Sequence, residues 1–241
     1  MIRPLRTLAA TAALAVAASS AMAEEKVLNV YNWSDYIADG VIEQFEAETG
    51  IQVNYDVFDA NEVLESKLMA GNTGYDVVVP SGSFFERQIK AGIYRELDKS
   101  KLPNLEHLDP VIMERAAQHD PDNAHGIVYM WGTTGLGYNV EMVKERLGVE
   151  EVPSSWDLLF KPEYAEKLAD CGIHMLDAPA EGIPAALNYL GLDPQSQDPE
   201  VYQKAEDLLL EIRPHVTKFH SSEYINALAN GDICLAHGWS G

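Results

Sequence analysis

The chain has 241 residues, 46% of them hydrophobic, enough for a substantial core and for one large or two ordinary domains. Its formal net charge is -21 at pH 7, which argues against nucleic-acid binding, since that needs a basic footprint, and gives a field that attracts cations. The seven histidines and two cysteines are scattered, with no H-E-x-x-H, no CxxC and no Cys/His cluster, so no metal site and no cofactor is expected.

Arg3 and Arg6 precede an apolar run from Leu8 to Ala18, and Ala21-Met22-Ala23 forms an A-x-A site. This pattern predicts a secretory signal peptide over residues 1–23. The run is shorter than the roughly 20 apolar residues that span a bilayer. Val27 to Tyr31 reads as a strand, Val41 to Thr49 as a helix stopped by Gly50, and Gln52 to Val57 as a second strand. A helix over Glu62 to Ala70, a buried strand over Asp76 to Val79 and a helix over Phe84 to Ala91 follow. Lys99 to Pro110 is polar, Asp120 to Asn123 reads as a turn, and Ile127 to Met130 as a strand. Gly132 to Gly137, rich in Gly and Thr, reads as a crossing between two bodies. Beyond it the alternation restarts: a short helix through Trp156 to Phe160 and a strand over Cys171 to Leu176. Helices follow over Glu181 to Leu190, Pro199 to Ile212 and Ser222 to Ala229, then a strand over Ile233 to His237. Alternating strands and helices imply an α/β protein with parallel sheets. Two α/β lobes are expected, 24–131 and 132–241. Cys171 and Cys234 are either two buried thiols or one bridge, and export favours the bridge.

Ligands of open α/β sheets bind beyond the carboxyl ends of strands. Those ends carry Asn32-Trp33-Ser34-Asp35-Tyr36, Ser81-Gly82-Ser83, Asp177 to Glu181, and Trp239-Ser240. Aromatic faces attract ammonium groups, and carboxylates pair with them through charge-assisted hydrogen bonds. The set therefore suits a slender organic cation. Each residue also has a structural reading. The tryptophans can be core, Asp35 can cap a helix, Asp177 can bond a turn, and Glu181 can answer a helix dipole. Gly238-Trp239-Ser240 resembles the start of a G-x-S-x-G elbow, which keeps a secreted hydrolase using Ser240 as an alternative.

Val30 to Ile37 (V-Y-N-W-S-D-Y-I) closely resembles the first strand of the periplasmic putrescine- and spermidine-binding proteins of ABC transporters. The resemblance continues through Tyr55 to Asp59, Asn61 to Glu65, Lys67 to Gly71, Val79 to Ser81 and Leu97 to Pro103. It recurs in Tyr129 to Trp131, Leu176 to Pro179, Phe219 to Ser222 and Asn230 to Cys234. It implies a type 2 periplasmic-binding-protein fold, with a hinge and a ligand cleft between two α/β lobes. It implies a monomeric, non-enzymatic receptor in the periplasm that delivers a polyamine, putrescine first and spermidine next, to a membrane permease. Another small solute is the nearest alternative. By motif it assigns ligand contacts to Trp33, Ser34, Asp35, Tyr36, Ser81, Glu181 and Trp239, and a disulfide to Cys171 and Cys234. Members of that family continue past the G-W-x-G segment. A C-terminal return that completes the first lobe is therefore expected to be missing here.

Overall fold

A computed structural model describes residues 26–240; the signal peptide predicted over 1–23 lies outside the described residues. Strand β1 (Val27–Trp33) leads into helix α1 (Val41–Thr49). Gly50 ends that helix at φ 68°, a left-handed conformation that glycine adopts without a Cβ clash. Strand β2 (Gln52–Phe58) returns parallel to β1, with Trp33 opposite Phe58. Helix α2 (Asn61–Ala70) carries the chain to β3 (Val77–Val78), on the other side of β1. The first sheet is thus β2-β1-β3, all parallel. Helix α3 (Gly82–Lys90) follows, and then α4 (Pro110–Ala116), which Asp109 caps by accepting the N–H groups of Val111 and Ile112.

The first body has a small core of Tyr31, Phe58 and Leu64. Parallel sheets are ordinarily covered on both faces, yet Val57 is 51% and Val77 45% exposed. The buried strand expected over Asp76 to Val79 is therefore a two-residue edge strand with an exposed valine. The strand expected over Ile127 to Met130 does not form. Both flanks of β1 are already taken by β2 and β3, no strand among the described residues pairs with that segment, and Ile127, Tyr129 and Met130 stay exposed.

The second body begins with β4 (Thr134–Tyr138), α5 (Val140–Leu147), α6 (Asp157–Phe160) and α7 (Pro162–Leu168). It continues with β5 (Ile173–Met175), α8 (Pro179–Tyr189), α9 (Pro199–Ile212), β6 (Lys218–Phe219), α10 (Glu223–Asn230) and β7 (Leu235–Trp239). Proline opens α4, α7, α8 and α9, where its missing N–H and fixed φ cost nothing. The sheet order is β4-β7-β5-β6; β5 runs parallel to β6 and β7, and β4 runs antiparallel to β7. Most of Gly132 to Gly137, expected as a crossing between two bodies, lies in β4. Gly137 serves close approach, since a Cβ there would meet Leu228 at 2.9 Å. The main core lies here, with Leu158, Leu159, Phe160, Ile173, Leu187, Ile212 and Leu235 fully buried. Cys171 and Cys234 form a disulfide, Cα to Cα 5.5 Å, that ties the turn after α7 to the start of β7. Among the described residues no helix is long and apolar enough to cross a membrane.

Candidate functional site

Trp33 and Trp239 are the last residues of their strands, one in each sheet. Their indoles meet edge to face, with ring centroids 5.5 Å apart and planes at 70°. Trp33 is fixed by its Nε1–H, which donates to the Val79 carbonyl at 2.8 Å, and by packing on Phe58 at 4.6 Å. Tyr36 stands perpendicular to Trp33 at 6.4 Å, and the Tyr129 hydroxyl donates to the Tyr36 carbonyl. Burial raises the Tyr36 phenol above its ordinary pKa, with Tyr224 and Asp35 adding to the effect. Tyr36 therefore stays protonated at neutral pH and presents a neutral O–H.

Ser81 stands at the start of α3 in a reciprocal pair with Asn61. Its N–H donates to Asn61 Oδ1 and its Oγ accepts from Asn61 Nδ2, both at 3.0 Å. Glu181 lies in the first turn of α8 and is half-buried; the Thr134 hydroxyl donates to its carboxylate. Ser34 donates to Asp35 at 2.8 Å, and both are exposed.

A cavity of about 1420 Å³ is bordered by Trp33, Tyr36, Ser81, Thr134, Glu181 and Trp239. It extends along the edge of β3 to Tyr94 and Ile112, beyond what a small ligand needs. Five of the seven expected contact residues thus share one cavity, while Ser34 and Asp35 do not border it. Thr134 was not singled out in the sequence, although it lies in the Gly/Thr cluster. Tyr224 and His220 also stand near this end of the second sheet; His220 lies in the Phe219 to Ser222 segment of the resemblance but was given no role, and Tyr224 was not singled out. Ser240 Oγ accepts the Thr133 N–H at 2.9 Å and ties β7 to β4. Among the described residues no group of three or more His, Cys, Asp or Glu is placed to hold a metal ion.

The arrangement offers two indoles from two sheets and a carboxylate whose bonded partner is a neutral hydroxyl. Such a site can hold a cation against an aromatic face.

Comparison with known proteins agrees in kind. The chain is 57% identical over 238 residues to the putrescine-binding periplasmic protein PotF of Escherichia coli (strain K12). It is 56% identical over 234 residues to the putrescine-binding periplasmic protein SpuD of Pseudomonas aeruginosa. These matches cover 98% and 97% of this chain, and the chain spans 64% of the length of each relative. Among solved structures it is similar to the spermidine/putrescine ABC transporter substrate-binding protein PotD of Streptococcus pneumoniae. There the TM-score is 0.67 at 32% identity, covering 89% of this chain and 62% of that one. The TpPotD lipoprotein of Treponema pallidum is similar with a TM-score of 0.75 at 30% identity, covering 89% and 64%. A family model described as bacterial extracellular solute-binding protein matches residues 40–241, so the chain belongs to that family.

Proposed function

We propose that this protein is a periplasmic receptor that captures a polyamine, putrescine first and spermidine next, and presents it to the permease of an ABC transporter. In this reading the signal peptide over 1–23 exports it, it acts as a monomer, and it catalyses no reaction. The two bodies, 24–131 and 132–241, close around the ligand by bending near Trp131 to Leu136. Trp33 and Trp239 wall the methylene chain and face an ammonium group. Glu181 binds an ammonium group by a charge-assisted hydrogen bond, and Tyr36 and Ser81 offer neutral oxygens. Ser34 and Asp35, exposed beside Trp33, reach the ligand on closure.

The observation that carries this reading is the meeting of Trp33 and Trp239 in one cavity with a half-buried carboxylate bonded to a neutral hydroxyl. The names of the similar proteins, which specify putrescine, support the choice of ligand. Titrating putrescine into the protein expressed from its complete coding region, with tryptophan emission as readout, tests it. A saturable change at micromolar ligand is expected. Its absence, or an equal response to a neutral sugar of similar size, removes the proposal.

A further inference from the structure

Strand β7 outruns its parallel neighbour. β5 keeps register with it only as far as His174 opposite Ala236, whereas β7 continues to Trp239. On the other flank β4 keeps pace, with Thr134 opposite Trp239. Successive N–H groups along a strand point to opposite flanks. The Ser240 N–H goes to the Thr133 carbonyl, on the β4 flank. The Trp239 N–H therefore points to the flank where β5 has already ended, and an orphan donor there is unfavourable.

Tyr224 supplies the acceptor. Its hydroxyl takes the Trp239 N–H at 3.1 Å. Its ring covers Gly238 so closely that a Cβ there would come within 2.4 Å of it. Tyr224 is 8% exposed and packs with Leu176, Ile233 and Ala236, against which Trp239 also rests. Burial, with Asp35 nearby, raises the phenol's pKa, so the group stays neutral.

Helix α10 holds Tyr224 in its first turn, and that turn has an unusual cap. Ser222, at the N-cap, makes no side-chain cap bond. His220 replaces it: its Nδ1 accepts the N–H groups of Ser222 at 3.1 Å and Glu223 at 3.2 Å. A ring nitrogen that accepts carries no hydrogen, so the neutral ring is protonated at Nε2. That nitrogen faces Glu223 at 3.4 Å and, from the first body, Asp59 at 4.0 Å.

We infer that Tyr224 is a positioning residue for the ligand cleft, setting Trp239 against Trp33, and that His220 holds the helix turn that presents it. Neither residue borders the cavity, so both act through Trp239. The consequence for ligand affinity rests on the polyamine reading; the consequence for indole geometry does not.

Three variants test this. Tyr224→Phe keeps the ring over Gly238 and removes only the hydroxyl. His220→Ala removes the cap, and His220→Asn returns an acceptor close to the position of Nδ1. Two readouts apply: calorimetric affinity for putrescine, and the circular-dichroism signal of the indole pair, identified as the component that Trp33→Phe abolishes. Tyr224→Phe and His220→Ala are expected to diminish that signal and to weaken putrescine binding by roughly two- to tenfold, the effect of one lost hydrogen bond. His220→Asn is expected to restore both. An unchanged indole signal in Tyr224→Phe overturns the inference, whatever the ligand. A loss that follows melting temperature and is not rescued by His220→Asn overturns it in favour of a purely structural role. If the wild type does not bind putrescine and the signal still falls, the polyamine reading fails and the positioning role stands.

Discussion

A half-buried carboxylate whose bonded partner is a neutral hydroxyl can still pair with a cation. Glu181 accepts from the Thr134 hydroxyl, which orients it without neutralising it. Glu181→Gln keeps the shape and the bond from Thr134 and removes the charge. A charge-assisted hydrogen bond contributes about 1.5–3 kcal/mol, so putrescine affinity is expected to fall by at least about tenfold. Trp33→Ala removes an aromatic wall and the Nε1 anchor to Val79, with a loss of similar size expected. Wild-type affinity by titration calorimetry in both variants takes these residues out of the site. At this scale the sequence was readable where a residue type implies a task at a strand end. Trp33, Tyr36, Ser81, Glu181 and Trp239 were picked out that way and border one cavity, and Ser34 and Asp35, which do not border it, were picked out too. Thr134 and Tyr224 were not, because a threonine among glycines and a tyrosine in a first turn look the same whether or not they support a site.

Strand β7 links core to cleft, and its middle residue is a histidine. His237 is fully buried, both ring nitrogens lack a partner among the described residues, and Trp156 lies 5.9 Å away between ring centroids. Burial alone lowers its pKa from 6.5 to about 4. The unfolded chain therefore takes up a proton near pH 6.5, whereas the folded protein resists it until about pH 4. Stability is lost as pH falls through that window and levels off below it, by an amount on the order of 3 kcal/mol. In His237→Leu the slope between pH 6.5 and 5, above most carboxylate titration, is expected to diminish in urea-unfolding free energies, leaving the part due to His174, whose pKa burial also lowers. An unchanged slope shows that His237 is not its source. Elements with strong punctuation were legible throughout: Gly50, Gly71 and Gly92 mark where helices of the first body stop. Those without a long apolar period were not. α4 is short and marked only by its local Asp109 cap, and β4 depends on pairing with β7 and on Gly137, which admits Leu228.

The whole molecule is unevenly built. The second body has an extensive buried core, whereas the first sheet rests on Tyr31, Phe58 and Leu64. The disulfide accentuates the difference, because the segment it closes, Cys171 to Cys234, holds β5, α8, α9, β6 and α10 and no residue of the first sheet. In the chain-entropy model, closing a loop of this size stabilises by about 4 kcal/mol through the unfolded state. If the two bodies are separate folding units, that stabilisation belongs to the second alone. Amide hydrogen exchange in Cys171→Ser/Cys234→Ser is then expected to lose protection in β5 and β7, while β1 and β2 exchange as in the wild type. In the proposed reading putrescine touches both bodies and is expected to raise protection in β1 and β7 together. Equal loss across both sheets on removal of the bridge means the bodies open as one unit, and the division near Trp131 then does not describe how this molecule moves.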